Sequence, residues 1–528
     1  MKLLSFLIIL SSFLFTNAQT WSDDLAQIFY DKCSKCHNIS GVGPFPLTTF
    51  AEASSMASVI YDAVNLNEMP PWPPDNNYQS YVHDRSLSAS EKSTMLNWLT
   101  NGTPEGDPAN TPPPPIFNPG SILGPGDLEV QIPTYMSKAL SNGDDYVCFA
   151  LPSNLATSRT IKSVEIIPGN PEIVHHALIY LDPSGGCVTD TIGGDCAGPT
   201  SPTASLVMGY TPGSSPMTLP SASPLKSGIQ FPANSQVVFA MHYPEGSYGQ
   251  YDSTKVIFHF YPPGETGIRP VYTAPIIQNW SFMLPADQIT SVNAQFPSGS
   301  GGLTTDYSML SVFPHMHLLG QEMRVFGIKP NSDTLKMINI PHWDFEWQDF
   351  FFYEYIQHAE TGTILKAEAK YDNTSANIHN PNNPPINVFP GLNTSDEMFL
   401  VYMHYMDYQV GDELINLDSL MNPSSGGGTG ALNELGQDEL FEVYPNPFQD
   451  ELNFYSNELT PGDNISMSLY DSQGTLVKKL TQNYVVKQKE LHLVWNGKNS
   501  FGKNVSPGLY FVSLNINGTF RHQRLIKR

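Results

Sequence analysis

Basic residues are scarce in this chain: 26 Lys and Arg stand against 50 Asp and Glu over 528 residues, a formal charge of -24. A surface so short of cations excludes partners held by a basic face, so neither nucleic acid nor an anionic lipid surface is expected. Long apolar runs are scarce too. The one present, Leu3 to Phe15 in MKLLSFLIILSSFLFTNA, is shorter than the roughly 20 residues a membrane span needs. With Lys2 before it and small Ala18 after it, residues 1–18 read as a signal peptide, so export without stable membrane insertion is expected. Cysteine is rare and odd in number, five in all, which excludes complete pairing into disulfides and asks for another use.

A chain of this length exceeds one hydrophobic core and predicts several domains. Charge is unevenly spread: residues 441–528 hold ten Lys and Arg against seven Asp and Glu, so this tail is near +3 and the remainder near -27. The tail is expected to be a separate unit. Two stretches read as connectors, the Pro-rich GTPEGDPANTPPPPIFNPG, semi-rigid, and NPSSGGGTGALNELGQ, flexible.

Cys33 and Cys36 stand in CSKCH. A C-x-x-C-H motif attaches haem c, each thiol forming a thioether and His37 becoming the proximal iron ligand. The following residues fit a small helical unit: AEASSMASVIYDAVNLN has helical spacing, and SASEKSTMLNWLTNG has a Ser cap and ends at Gly102. The segment resembles a cytochrome c domain. That resemblance makes Met69 of EMPPW the distal thioether ligand, with His83 as its competitor.

Beyond residue 125, runs such as YVCFALP, SVEIIPG, QVVFAMHY, KVIFHFYP and MFLVYMHYM are short, β-branched or aromatic, and bounded by Pro, Gly, Asn or Asp. That is an all-β pattern, long enough for two sandwich domains. Within it stand His175 and His176 in IVHHALIY, His242 in VFAMHYPEG, His315 and His317 in FPHMHLLG, and Met398 in SDEMFLVY. An all-imidazole set suits a copper that only passes electrons, whereas two imidazoles and a soft thioether favour Cu(I), the state that meets dioxygen. His315 and His317, two apart, share a strand face and can chelate one ion, while Met316 and Met241 should point away and pack. His175 and His176 are adjacent and can share an ion only at a bulge or strand end. His404 and Tyr402 fall on the strand face of Met398, which makes His404 a candidate neighbour of that site. His259, His342, His358 and His379 read as ordinary polar residues.

The ordered series of a His pair, a His in HY, H-x-H and a Met after Glu resembles the copper type II, ascorbate-dependent monooxygenases, the family of the peptidylglycine and dopamine monooxygenases. The resemblance spans about Asp127 to Leu420. It implies two tandem jelly-roll sandwiches with one copper each, facing each other across a solvent-filled cleft. His175, His176 and His242 would hold the electron-transferring copper, and His315, His317 and Met398 the oxygen-activating one, with Tyr402 beside it among the catalytic residues. Peptidylglycine enzymes grip a carboxylate with an Arg two residues before H-x-H and an Asn two after the Met. This chain has Phe313 and Leu400 there, so an apolar or aromatic C–H substrate is expected instead. By the same resemblance Cys148 is disulfide-bonded, with Cys196 the better-placed partner and a Cys187–Cys196 loop the alternative.

The tail resembles the C-terminal sorting domain of the type IX secretion system, in the VYPNPF opening, the GLYFV strand and the basic end RLIKR. The expected architecture is therefore mostly β. It comprises a signal peptide (1–18), a small α-helical cytochrome c domain (22–105), a Pro-rich linker (106–125), jelly-roll copper domains (126–265 and 266–420), a Gly/Ser linker (421–437) and a small Ig-like β-sandwich for sorting (438–528). The expected function is a secreted copper monooxygenase that uses O2, a small organic substrate and a one-electron reductant, haem or ascorbate. The alternative is a non-catalytic haem and copper electron-transfer or copper-binding protein.

Overall fold

A computed structural model describes residues 19–528 except 40, 42, 116–119, 141–142, 193–195, 197, 392, 422–441, 447, 457–458, 472–475, 490, 501 and 517–518. The expected signal peptide and most of the Gly/Ser linker lie outside these residues. The chain folds as two compact units that divide between Met421 and Asn422.

The first unit opens with a helical layer. Capping boxes start two of its helices, Thr49 with Glu52 before Phe50–Ser55 and Ser88 with Glu91 before Ala89–Thr100; in each, the hydroxyl and the carboxylate satisfy backbone N–H groups that the helix leaves unpaired. The run expected as one helix is broken at Met56 into Phe50–Ser55 and Ala57–Asn65. The Ser54 and Ser55 hydroxyls donate to the carbonyls of Ala51 and Glu52, competing with the helical ladder at the break. Trp21, Phe29 and Trp98 close the core of this layer.

The rest of the first unit is β. One ten-stranded sheet carries, in order, Leu128–Gln131, Lys255–Phe260, Arg159–Ile167, Leu225–Phe231, Arg269–Gln278, Leu400–Asp407, Tyr307–His315 and Phe351–Ala359, with two short strands off this path. Its first half shares a core with the sheet Asp145–Pro152, Gln236–Tyr243, His176–Asp182, Ser205–Tyr210. Its second half packs on Gln288–Phe296, Ile364–Asn373, Gly320–Ile328, Thr334–Ile340. Two β-sandwiches are therefore fused edge to edge, joined where Arg269–Val271 pairs in parallel with Ser227–Ile229.

The strand Leu400–Asp407 is buried on both faces, which follows from this fusion. Val401 and Met403 enter the second core, while Met406 and, partly buried, Tyr402 pack toward the first. A register shift between Met309 and Ser311 sets the neighbouring strand so that Val312 enters the second core and Phe313 turns to the first.

The helical layer does not hang free. Residues 72–82 leave it and lie along the strand Phe351–Ala359, with Val82 N–H donating to Phe352 O, Glu354 N–H to Ser80 O, and the Tyr81 hydroxyl to Met337 O at 2.8 Å. The Pro-rich spacer is pinned as well. Asn110 and Thr111 bond Asp23 and Ser22, and Ser121, Ile122 and Leu123 all donate to the buried carboxylate of Glu165.

The second unit is a small sandwich of two sheets. Glu442–Tyr444, Leu452–Ser456 and Leu491–Trp495 form one, and Leu476–Val485, Asn464–Asp471, Gly508–Ile516 and Thr519–Lys527 the other, around Trp495, Phe454 and Leu469. Among the described residues no helix is long and apolar enough to cross a membrane.

Candidate metal centres

The first cluster is built by strand register. His242 and His176 are direct partners across the antiparallel pair Gln236–Tyr243 and His176–Asp182, so their side chains leave the same face. His176 is the first residue of its strand, and His175 lies before it with its N–H on His242 O at 3.0 Å. The adjacent pair thus sits at a strand end, where His175 is released from alternation and turns to the same point. His176 Nδ1 lies 3.4 Å from His175 Nδ1 and 3.2 Å from His242 Nδ1. The ligand atoms of all three fall within 4.8 Å of one another.

The outer nitrogens face carboxylates. His242 Nε2 lies 3.1 Å from Asp144 Oδ2, and His175 Nε2 lies 3.7 Å from Glu346 Oε1. With the carboxylates outside, the three Nδ1 atoms face one another. Burial, more than neighbouring charge, holds His176 and His242 below the usual imidazole range, so both are neutral near pH 7. Tyr146 stacks on His242 with ring centroids 4.2 Å apart. Three imidazole nitrogens converging on one point fit a metal ion.

The second cluster lies across a cavity of about 590 Å3 between the sandwiches, whose wall includes His176, His315, His317 and Met398. His315 and His317 rings are 5.3 Å apart. His315 Nδ1 lies 2.6 Å from Gln348 Oε1 and His317 Nδ1 3.1 Å from Asp396 O, so each Nδ1–H donates and each Nε2 keeps a lone pair. Burial lowers His315 to about 3 and His317 to about 4. Glu397 underpins the site: its buried carboxylate accepts from the N–H groups of His317, Leu319 and Met398. Burial pushes its pKa up to about 8 against those three bonds. Tyr371 donates to Met398 O at 2.7 Å. Two neutral imidazoles and a thioether at one wall fit a Cu(I) ion.

Phe313, Leu400 and Tyr402 line the same cavity. Met316 and Met241 are buried in the two cores, as the alternation requires. His404 is fully buried, with Nδ1 2.8 Å from Ser311 Oγ and its ring against Phe350 and Phe352. Among its described contacts none reaches His315, His317 or Met398. His358 pairs with Asp306 and stacks on Tyr408, and His342 and His379 are exposed.

A third site surrounds CSKCH. His37 Nδ1 lies 2.9 Å from Phe45 O, which leaves Nε2 as the lone-pair nitrogen. Gly43 lies so close that a Cβ there would sit 2.6 Å from His37 Nδ1. A cavity of about 260 Å3 is lined by Cys33, Cys36, His37 and Met69, while His83 borders a different cavity. Two free thiols and an oriented imidazole around an apolar hollow fit haem c. The same cavity is walled by His175, Glu346 and Trp347. Gly213, at φ 78°, brings the first sandwich against the motif, where a Cβ would lie 2.3 Å from Cys36 Sγ. Of the remaining cysteines, Cys148 and Cys196 form a disulfide and Cys187 is buried and free.

Motif reasoning missed Asp144, Tyr146, Glu397 and the loop Phe345–Gln348. Acidic and aromatic residues in loops are common, and only the fold shows that these touch histidines.

Residues 292–418, most of the second sandwich, match the family model of the copper type II ascorbate-dependent monooxygenase, C-terminal domain. That match is to a domain of copper-dependent monooxygenases and covers this part of the chain alone. Residues 442–528 match the secretion system C-terminal sorting domain, which makes this an exported protein, secreted or at the cell surface. No curated protein matches the chain. Among solved structures, PorZ, a surface component of the type IX secretion system of Porphyromonas gingivalis, is 17% identical over 25% of this chain, with a TM-score of 0.14; the chain spans 15% of its length. PNGase F of Flavobacterium meningosepticum, a glycosylasparaginase, is 11% identical over 54% of this chain and 97% of its own, with a TM-score of 0.24. Neither likeness is close enough to carry an argument.

Proposed function

We propose that the protein hydroxylates a C–H bond of an apolar or aromatic small organic substrate with dioxygen, taking electrons from haem c on its own CSKCH motif, alone or beside ascorbate. His175, His176 and His242 would hold one copper and His315, His317 and Met398 the other. When bound, these groups store single electrons and activate oxygen, so that C–H, O2, two electrons and two protons become C–OH and water. Cys33, Cys36, His37 and Met69 would hold the haem.

The observation that carries this reading is the shared cavity. One hollow is walled by His176 on one side and by His315, His317 and Met398 on the other, with Phe313, Leu400 and Tyr402 between. Phe313 lies 6.1 Å from the His315 ring and nearly parallel to it, so a substrate there meets an apolar wall beside the oxygen-activating set. Tyr402 offers a hydroxyl for orientation. Among the described residues of this wall there is no Arg fork for a carboxylate, which disfavours peptidylglycine substrates. The haem part of the reading draws on His175, whose ring borders both the first cluster and the CSKCH cavity.

Metal analysis of the secreted protein should give two coppers and one haem per chain. Turnover with isotopically labelled dioxygen, over a panel of phenethylamines, peptidylglycines and apolar compounds, should place label in an organic product. Peroxide alone would favour the non-catalytic electron-transfer reading, and preference for a peptidylglycine would overturn the substrate class. Met398→Ala should impair oxygen uptake more than reduction of the first copper; equal loss of both would contradict the division of roles. Deleting residues 438–528 should retain the protein in the periplasm, and unaltered secretion would refute sorting by the tail.

A further inference from the structure

The loop between strands Thr334–Ile340 and Phe351–Ala359 carries Phe345, Glu346, Trp347 and Gln348. None belongs to the ligand pattern, yet between them they reach all three centres. Gln348 orients His315. Phe345 stands between the clusters, its ring centroid 6.1 Å from His317, 6.3 Å from His176 and 6.5 Å from His242. Glu346 approaches the outer nitrogen of His175, and with Trp347 it walls the CSKCH cavity.

The two carboxylates on the outer nitrogens of the first cluster are not equivalent. Asp144, on His242, lines the cavity that holds His315, His317 and Met398. Glu346, on His175, lines the CSKCH cavity, and its side chain is 64% exposed. The cluster therefore has one side toward each cavity.

We infer that Glu346 and Trp347 form the electron-entry face of the first cluster. Glu346 is a positioning residue that fixes the His175 ring toward the CSKCH cavity, and Trp347 packs the gap beside it. This rests on the reading of that cavity as a haem site. Electron transfer weakens steeply with edge-to-edge distance and weakens faster through empty space than through packed atoms, so a side chain that fills the gap and one that holds the receiving ring both matter. The step moves one electron: ferrous haem becomes ferric as Cu(II) becomes Cu(I). No bond is made or broken, and the Glu346 carboxylate stands 3.7 Å from the outer nitrogen of the receiving ring.

The test uses oxidised full-length holoprotein. A flash in the presence of a photosensitiser and a sacrificial one-electron donor reduces the haem; its absorbance band then reports reoxidation, and freeze-quenched EPR reports loss of the Cu(II) signal. Glu346→Gln should slow the transfer by about tenfold, in the range typical for partners of ligating histidines, and shift the Cu(II) spectrum, with Glu346→Asp recovering part of both. Trp347→Leu should slow the transfer with that spectrum unchanged. Wild-type rates in both variants overturn the entry face while leaving the haem-fed reading intact; failure of the wild-type haem to reoxidise sinks both. Should Glu346→Gln lose copper, Trp347→Leu decides alone, and a wild-type rate there refutes the inference.

Discussion

His176 and His242 face each other across one rung of an antiparallel pair, with their Nδ1 atoms 3.2 Å apart. Two neutral imidazole lone pairs at that distance repel unless a proton or a metal sits between them. His242→Ala should therefore abolish copper at the first site and leave the second, lowering the content from two coppers to one by metal analysis. Loss of both coppers would show that the sites are not independent.

Glu397 accepts three backbone N–H groups, two of them from His317 and Met398, which the proposed function places on the second copper. Glu397→Gln puts an amide NH2 where one of the two accepting oxygens stood, leaving at least one backbone N–H unpaired. Stability should fall by about 1–3 kcal/mol for the lost buried bonds. Copper affinity at the second site should fall by about 10- to 100-fold, as for other groups that support metal ligands. Chelator competition measures the second effect and denaturant unfolding the first.

Arg269 holds Asp412 through two bonds, Nη1 to Oδ1 at 2.6 Å and Nη2 to Oδ2 at 2.7 Å, and Ser308 donates to the same carboxylate. The Arg stands where the two sandwiches fuse. Arg269→Ala strands a buried carboxylate and should cost about 3–5 kcal/mol. Arg269→Met with Asp412→Leu should recover most of it, which separates the stranded charge from lost packing.

The Thr361 hydroxyl and N–H, and then His358, hold the Asp306 carboxyl down to about 2. A carboxyl lowered on folding lends stability above its unfolded pKa, about 3.9, and that stability fades as pH falls through the folded value. Asp306→Asn should flatten the loss of stability between about pH 4 and pH 2, read as denaturant midpoint against pH. An unchanged slope would show that the bonds do not persist in solution.

Much of this was legible in the chain because the signals are local. Alternation placed Met316 and Met241 in the cores and put His315 and His317 on one face, since side chains in a strand alternate whatever surrounds them. The Ser88 cap and the stop at Gly102 were equally readable, each depending on a few neighbouring atoms. The break at Met56 was less so, because two serine hydroxyls overrode a helical pattern that spacing alone supports. His404 shares a strand face with Tyr402, yet it meets Ser311, Phe350 and Phe352 rather than the second ligand set.

By itself the sequence determined which residues can chelate, which segments are strands, and that the tail is distinct, since ligand chemistry, side-chain period and composition are properties of short stretches. Tertiary structure alone decided that His175 lies at a strand end, that the sandwiches share one sheet, and that the CSKCH hollow borders the first histidine cluster. Those relations join residues far apart in the chain, such as Cys36 with Pro212 and His175 with Glu346. No local pattern encodes them, because closing such long loops is driven by the burial of whole sheet faces rather than by the residues that finally meet.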